Sequence, residues 1–427
     1  MNKRLFEFIE NSPSPYHVVR NIEQRLLSLG FCPLCEGDSW EIERGKGYFV
    51  TRNNSSIIAF RVPKEDYQGF MVCATHSDSP AITLKEKPEL EDKHYVRLST
   101  EKYGGMINST WMDRPLSLAG RVVVNTPKGV STILVDTKEP VAIIPNTPIH
   151  LNRKLNEGIT LNPAVDMLPL YGICSEDRVP LTDRIADMAG VSREDILSTD
   201  LLLYNADKGA VIGDFISAPR IDDLQCVYAC LEAFEQAEAV TSIPVLAVFD
   251  NEEIGSKTPQ GADSDFLHRV LRRVADATGC DCFDRKAACS FLLSCDNAHA
   301  LHPNHPELFD ANHQVLPNGG VVIKHNSNRQ YTTDGISCAL VTQLCRKAQV
   351  PCQHYYNRAD IPGGSTLGCI AGTQLSMLSA DVGLAQFAMH SALETAGRKD
   401  TEYMMGALKA FFESSLKVLH DGEYELS

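Results

Sequence analysis

The feature that most constrains this chain is a short apolar segment that ends abruptly in carboxylates. Residues 243–249 read Ile-Pro-Val-Leu-Ala-Val-Phe, and Asp250, Asn251, Glu252 and Glu253 follow directly. A buried parallel strand has this continuous apolar character, and open α/β sheets bind ligands just beyond the carboxyl ends of such strands. A Glu-Glu pair is most often a solvated turn, but its position after a strand favours a functional site here.

Side chains that can bind metal recur at the ends of apolar runs and at one predicted helix start. They are His76 and Asp78, Asp222 and Asp223, Asp296 and His299, and His390. A single histidine at a strand end is more often a hydrogen-bonded structural residue than a ligand. Together with Glu252 and Glu253 they make five such places in one chain, and this number predicts a metal site.

Length and composition indicate a large, acidic globular protein. At 427 residues the chain exceeds a typical single core, so we expect two domains or one domain with a large insertion. The formal net charge of -15 disfavours nucleic acid or an anionic membrane as the main partner, since both need basic patches. No signal-peptide segment or membrane-spanning run is evident, and we expect a cytoplasmic protein. The scattered cysteines are expected to be reduced thiols.

Periodicity predicts an α/β domain with an insertion. Helical spacing marks residues 15–29, and alternating helices and strands resume after Asp222, starting with an amphipathic helix over 224–234. Residues 85–218 differ, because they hold mainly β-like pieces and a polar helical piece at 192–197, and they contain no candidate ligand. We therefore predict a catalytic domain formed by residues 1–84 and 219–427, interrupted by an inserted, mainly β domain.

The candidate ligands suit a pair of divalent ions. In such centres one carboxylate bridges the ions, and another carboxylate outside the ligand set moves a proton from water to the leaving amine. Glu252 and Glu253 allow this division of roles, because successive side chains at a strand end point in different directions. Nitrogen and oxygen ligands suit zinc, manganese or cobalt. Asp78 either orients the His76 ring or caps a loop, and both interpretations stay open.

A colinear series of motifs resembles the aspartyl aminopeptidase / aminopeptidase I family of dinuclear zinc metallopeptidases. The resemblance runs nearly end to end. Its motifs include Thr75-His-Ser-Asp-Ser-Pro80, Tyr103-Gly-Gly, Trp111-Met-Asp-Arg-Pro, Ile149-His-Leu-Asn-Arg153, Pro219-Arg-Ile-Asp-Asp, Asp250-Asn-Glu-Glu-Ile-Gly-Ser256, Asp296-Asn-Ala-His, Val322-Ile-Lys-His-Asn, Gly364-Ser-Thr and Ala388-Met-His-Ser391. The resemblance implies an α/β/α sandwich with a mixed sheet and an inserted, mainly β dimerisation domain.

The resemblance also implies a role for each residue of the site. It makes Glu252 the general base, with Asp78 beside it in the catalytic group. It assigns His76, Asp222 and Asp296 to one ion, and Asp222, Glu253 and His390 to the other, so that Asp222 is the bridge. The implied cofactor is two divalent ions, zinc foremost, with manganese or cobalt as alternatives. Asp223 stands where the family usually has Asn, and Asn251 stands where it often has His. Neither residue is expected to bind metal.

Assembly and substrate preference are implied by the same likeness. Family members form dimers that assemble into a tetrahedral dodecamer, and His150 corresponds to a histidine that reaches a neighbouring active site. Without the resemblance, His150 is expected to be an exposed loop residue. Lys324, Gly364 and Ser365 correspond to substrate-binding positions, and Lys324 can pair with an acidic side chain. Gly363 replaces the usual Cys, so neutral first residues are also compatible with the pocket.

The leading hypothesis is a metal-dependent aminopeptidase that removes acidic or neutral first residues from peptides. A related dinuclear amidohydrolase, such as a carboxypeptidase or N-acyl deacylase, could use the same ligand set. A hypothesis of another class is an inert assembly scaffold that retains the fold.

Overall fold

A computed structural model describes residues 1–239 and 241–427. The helices of the described chain are α1 (Asn2–Glu10), α2 (Pro15–Ser28), α3 (Leu181–Ala189), α4 (Ile221–Gln236), α5 (Phe266–Ala277), α6 (Phe283–Ala288), α7 (Gly335–Lys347), α8 (Leu367–Gln374) and α9 (Asp400–Phe412). None of the helices in these two ranges is long and apolar enough to cross a bilayer.

The strands lie between these helices and after the last of them. They are β1 (Cys32–Leu34), β2 (Gly47–Arg52), β3 (Ser56–Arg61), β4 (Phe70–His76), β5 (Ala81–Glu91), β6 (Tyr95–Tyr103), β7 (Pro115–Thr126), β8 (Gly129–Asp136), β9 (Ala142–Ile143), β10 (Leu170–Ile173), β11 (Ile196–Asn205), β12 (Ala210–Ile212), β13 (Phe215–Ala218), β14 (Ile243–Phe249), β15 (Phe291–Cys295), β16 (Ala298–His299), β17 (Val321–His325), β18 (Cys352–Tyr356), β19 (Leu378–Gly383), β20 (Ala385–Phe387), β21 (Glu394–Gly397), β22 (Leu416–His420) and β23 (Glu423–Leu426).

The central sheet is mixed and has nine strands, in the order β1, β2, β3, β14, β4, β15, β19, β17 and β18. Its middle strands β14, β4, β15 and β19 run parallel to one another. Every residue of β14 and β4 is buried, as expected for parallel strands covered on both faces. The carboxyl ends of these parallel strands therefore meet at one edge of the sheet.

Helices cover both faces of this sheet, which confirms the predicted α/β/α sandwich. Side chains of α1, α2, α4, α7 and α9 share one hydrophobic core with one face of the sheet. Side chains of α5, α6 and α8 share a second core with the opposite face. Because each face of the sheet is buried against its own helical layer, the strand positions are held from both sides.

A second sheet lies within residues 81–205 and has the strand order β11, β5, β6, β10, β9, β7, β8. It has its own hydrophobic core, in which Leu116, Leu118 and Leu203 are fully buried and α3 contributes Leu181. The strand β5 begins at Ala81, ahead of the predicted boundary at residue 85. At the other end, β12 and β13 belong to a third sheet of five strands, in which β13 pairs with β21.

Two local predictions are wrong, and both errors come from tertiary contacts. The polar helical piece predicted at 192–197 is a short 3-10 turn, Arg193–Asp195, followed by β11, which pairs with β7 along its length. The helix predicted over 224–234 is present as part of α4, but it is not amphipathic. Every residue from Ile221 to Phe234 is buried, because α4 packs against the central sheet, α9 and α1.

Candidate active site

The parallel strands bring the predicted site residues to one edge of the central sheet. His76 is the last residue of β4 and lies opposite Phe249, the last residue of β14. The turn that carries Glu252 and Glu253 follows β14, and Asp296 follows β15, which also pairs with β4. Three separate strands therefore end beside one another, as the sequence pattern predicted.

The first group of potential ligands surrounds the His76 ring. Its Nε2 lies 3.4 Å from Oδ1 of Asp222 and 4.0 Å from Oδ1 of Asp296. Asp223 offers an oxygen to the same group. However, the Asp223 carboxylate also accepts hydrogen bonds from the hydroxyl of Thr75 and from the backbone N–H of His76, so one of its oxygens is already engaged.

The second group shares Asp222 with the first. Nε2 of His390 lies 3.5 Å from Oδ2 of Asp222 and 3.2 Å from Oε2 of Glu253. Asp222 therefore directs one carboxylate oxygen toward His76 and the other toward His390. The Asp222 carboxylate is thus the group that the two sets of potential ligands have in common.

The unpaired polar atoms of the site fit a metal ion. Oδ1 of Asp222 and Oε1 of Glu253 are buried, and neither finds a hydrogen-bond donor in the described part of the chain. A buried carboxylate oxygen without a partner is costly, and a cation offsets that cost. Imidazole nitrogen and carboxylate oxygen are the ligands that zinc takes in catalytic sites. The residues present are therefore suited to zinc.

Asp78 connects the two parts of the site. Its Oδ1 accepts the backbone N–H of Glu252 and its Oδ2 that of Glu253, each at 3.1 Å, and Oδ2 also accepts the hydroxyl of Tyr103 at 2.6 Å. Nδ1 of His76 lies 3.0 Å from the Asp78 backbone carbonyl and 3.4 Å from its carboxylate. Asp78 thus contacts the His76 ring mainly through its backbone, while its carboxylate holds the turn with the two glutamates.

Two contributors to the site had no role predicted from the sequence. Glu394 is buried, and its carboxylate accepts the backbone N–H of Asp222 at 2.9 Å and that of His390 at 2.7 Å. Its only signal was a carboxylate four residues after His390. The inserted region contributes as well, because Nδ1 of His390 bonds to the carbonyl of Gly105 at 3.1 Å and Tyr103 bonds to Asp78. These contacts join distant segments, which local patterns do not reveal.

The pKa values of the site are shifted because several carboxylates are buried close together, away from water. Burial, with Asp296 as an additional neighbouring charge, raises the pKa of Glu252 to about 8. Burial also raises the pKa of Asp296 to about 6. Although burial opposes its charged form, the hydrogen bond to Asp222 and the charge of Glu253 raise the pKa of His390 to about 10. This concentration of negative charge is one that divalent cations would neutralise.

Glu252 differs from Glu253 in its surroundings. The Glu253 carboxylate lies beside His390, whereas the Glu252 side chain makes no hydrogen bond to any described residue. Both belong to a short 3-10 turn, Glu252–Ile254, that begins after Asn251 in a left-handed backbone conformation. The two adjacent side chains consequently point to different environments.

Lys324 is not the solvated lysine that its residue type favours. It is 1% exposed, its Nζ donates to the backbone carbonyl of Asn297 at 2.9 Å, and the same atom lies 3.6 Å from Oδ2 of Asp296. Burial disfavours the charged ammonium, but the neighbouring Asp296 outweighs this and holds the pKa of Lys324 above its usual value. The lysine is a buried cation beside a candidate metal ligand.

The other predicted substrate-binding residues do not belong to the group of candidate ligands at the sheet edge. His150 lies exposed in a turn of the inserted region, and Gly364 and Ser365 lie in an exposed loop before α8. Within the described residues, the metal-binding groups at the sheet edge include none of these three.

A mixed α/β/α sandwich that gathers histidines and carboxylates at the carboxyl edge of its sheet defines a metal-dependent hydrolase. The family model for the aminopeptidase I zinc metalloproteases (M18) matches residues 8–412, and the chain belongs to this family. It is a zinc metallo-aminopeptidase, which hydrolyses peptide bonds.

Relatives with assigned names and solved structures agree with this family. The chain is 42% identical over 423 residues to "Probable M18 family aminopeptidase 2" of Clostridium acetobutylicum, covering 96% of this chain and 98% of the relative. A chain in the cryo-EM structure of the Ape4 and Nbr1 complex is 34% identical, with a TM-score of 0.92 over 96% of this chain and 85% of that one. The S. cerevisiae mApe1 dodecamer is 28% identical, with a TM-score of 0.85 over 96% of each chain.

Proposed function

We propose that this aminopeptidase works through two zinc ions that share Asp222. One ion is held by His76, Asp222 and Asp296, and the other by Asp222, Glu253 and His390. The observation that carries the proposal is the orientation of Asp222, whose Oδ1 lies 3.4 Å from the His76 ring and whose Oδ2 lies 3.5 Å from the His390 ring. When bound, the ions supply Lewis acidity that polarises the scissile carbonyl and lowers the pKa of water.

Glu252 is the proposed general base. Its carboxylate stands beside the ligands without a hydrogen bond to the described residues, so its oxygens are free to take a proton from the attacking water. The same carboxyl then donates the proton to the leaving amine. Asp78 positions Glu252 by accepting its backbone N–H, and it positions Glu253 in the same manner. The turn is thereby held so that one glutamate ligates while its neighbour transfers protons.

The proposed substrates are peptides with an acidic or neutral first residue. Lys324 supports acidic residues, because a desolvated ammonium attracts a carboxylate strongly. Its charge is already partly compensated by Asp296 at 3.6 Å, which makes neutral side chains acceptable too. His150, Gly364 and Ser365 remain proposed substrate-binding residues, with His150 acting in a neighbouring subunit.

Self-association through the inserted region, residues 85–218, is the final part of the proposal. Large apolar side chains are strongly exposed there, among them Leu151 at 80%, Ile173 at 69% and Val165 at 67%. Exposed apolar side chains in such number are typical of a protein–protein interface. The S. cerevisiae relative is a dodecamer, and we propose dimers and a dodecamer for this chain also.

A pair of matched substrates tests the aminopeptidase reaction against the amidohydrolase alternative. We expect hydrolysis of a free aminoacyl substrate and at least a tenfold loss of kcat/KM on its N-acetylated form, since a free amine has to be anchored beside the ions. Equal cleavage of both forms would contradict the proposed reaction. Absence of any hydrolysis by the zinc-loaded chain would instead favour the inert scaffold.

A further inference from the structure

A second group of metal-binding side chains lies on the opposite face of β17 from Lys324. It consists of His325, the last residue of β17, His354 of β18 and Cys338 in the first turns of α7. Successive residues of a strand point to opposite faces, so Lys324 faces Asp296 while His325 faces α7. This group is therefore separated from the candidate active site by the sheet itself.

The three potential ligand atoms are separated by nearly the distances that a tetrahedral zinc site requires. Nε2 of His325 lies 3.1 Å from Nδ1 of His354, and Sγ of Cys338 lies 3.8 Å and 3.9 Å from these two nitrogens. With ordinary zinc–nitrogen and zinc–sulfur bond lengths, tetrahedral angles require about 3.3 Å between nitrogens and about 3.6 Å between nitrogen and sulfur. Shifts of a few tenths of an ångström would complete the geometry.

The backbone holds these ligands in place before any ion binds. The strands β17 and β18 pair in parallel, with Ile323 opposite His354 and His325 opposite Tyr356. The two histidines are thus diagonal neighbours on one face of the sheet. The Tyr356 ring stacks on the His325 ring with centroids 4.6 Å apart and planes 3° apart, which orients the imidazole. A site on paired strands and a helix is more rigid than one on loops.

The position also allows an ion to enter. His354 is exposed, and His325 and Cys338 are half-buried, so the group opens to solvent. A different group, Cys73, Cys230 and Cys295, also has three atoms at ligand distance, but all three thiols are fully buried. Three thiolates in an apolar core would carry uncompensated charge without access to solvent, and we interpret that group as packing.

We propose that His325, Cys338 and His354 bind one transition-metal ion of the zinc type, with the fourth position open to water. Two imidazoles and one thiolate suit zinc, which deprotonates a coordinating thiol outright. The ion would tie the edge strand β18 and helix α7 to β17. This site is independent of the catalytic centre, because it shares no ligand with it.

Cobalt substitution tests the site by a signal that the catalytic centre cannot produce. The proposed catalytic ligands contain no sulfur, so a sulfur-to-cobalt charge-transfer absorption in the near ultraviolet reports a thiolate ligand. We expect this absorption in the cobalt-loaded full-length enzyme, and we expect Cys338→Ser to abolish it. The control Cys369→Ser, at a half-buried cysteine of α8, should retain it. Absence of the band, or its persistence in Cys338→Ser, would overturn the proposal.

Zinc stoichiometry gives a second readout that does not depend on the thiol. After dialysis against zinc, His354→Ala should hold one zinc per chain fewer than the unaltered enzyme. His420→Ala, which removes an exposed histidine of β22, should hold the same amount as the unaltered enzyme. Equal zinc in His354→Ala and the unaltered enzyme would mean that the group is only a hydrogen-bonded cluster. Peptidase activity is not the readout, so the result stands apart from the proposed reaction.

Discussion

Asp222 is the residue that the two groups of potential metal ligands share. Each of its carboxylate oxygens faces a different histidine, and its backbone N–H is held by Glu394. The backbone of His390 is held by the same Glu394 carboxylate. Glu394 therefore holds the backbones of two proposed ligands without being a proposed ligand itself.

Replacing Glu252 with Gln tests the division of roles between the adjacent glutamates. The amide keeps the shape of the side chain but cannot accept the proton, so we expect kcat to fall by about 10²- to 10⁴-fold. Zinc content, measured by elemental analysis, should be unchanged. Glu65→Gln, at an exposed loop position, is the control and should retain full activity. Loss of zinc from Glu252→Gln would show that Glu252 is a ligand instead.

Replacing Glu394 with Gln tests the support beneath the ligands. One side of the amide is a donor, so it cannot accept both backbone N–H groups that the carboxylate accepts at 2.9 Å and 2.7 Å. We expect zinc affinity to weaken by about 10- to 100-fold, as for other partners that orient metal ligands. Competition with a zinc-binding dye measures the change. An unaltered zinc affinity would show that Glu394 does not support the ligands.

At the scale of elements, α4 joins the site to the core. It carries Asp222 at its amino-terminal end, and its residues up to Phe234 are buried against the central sheet, α9 and α1. Leu231→Ala should therefore destabilise the protein by about 2–5 kcal/mol, the range for a truncated core leucine. Urea denaturation followed by circular dichroism measures the change. Leu29→Ala, at an exposed leucine just after α2, should change the stability by less than about 0.5 kcal/mol.

Elements whose patterns are continuous could be predicted from the sequence. The apolar run of β14 and the helical spacing of α2 appear in the structure close to their predicted bounds. Elements decided by distant pairing could not be predicted. The segment that starts β11 has a helix-like local pattern, but its alignment with β7 makes it a strand. Likewise, no local signal shows that α4 is buried all round.

For the site as well, features set by local sequence could be predicted, whereas features set by contacts between distant residues could not. Candidate ligands could be found because each stands at the end of a strand or the start of a helix, where parallel topology gathers side chains. The roles of their supports could not be predicted, since Glu394, Tyr103 and Gly105 act through contacts with residues far away in the chain. The buried state of Lys324 also depends on its three-dimensional surroundings, because an isolated lysine in a sequence is usually solvated.

At the scale of the whole molecule, assembly is expected to depend on the inserted region. Leu151→Lys places a charge on one of its most exposed apolar side chains, and a charge buried in an interface without a partner is strongly unfavourable. We expect this variant to sediment as smaller species than the unaltered chain in analytical ultracentrifugation. Leu419→Lys, at an exposed leucine of β22, should leave the assembly unchanged. Identical sedimentation of all three proteins would exclude Leu151 from the interface.

Anomalous X-ray scattering at the zinc edge tests whether two zinc ions share Asp222. Crystals of the zinc-loaded enzyme should show two peaks beside Asp222, one adjoining His76 and Asp296 and the other adjoining Glu253 and His390. Glu252 should lie next to both peaks without contacting either. A single peak beside Asp222, or a peak coordinated by Glu252 in place of Glu253, would contradict the proposed two-zinc site.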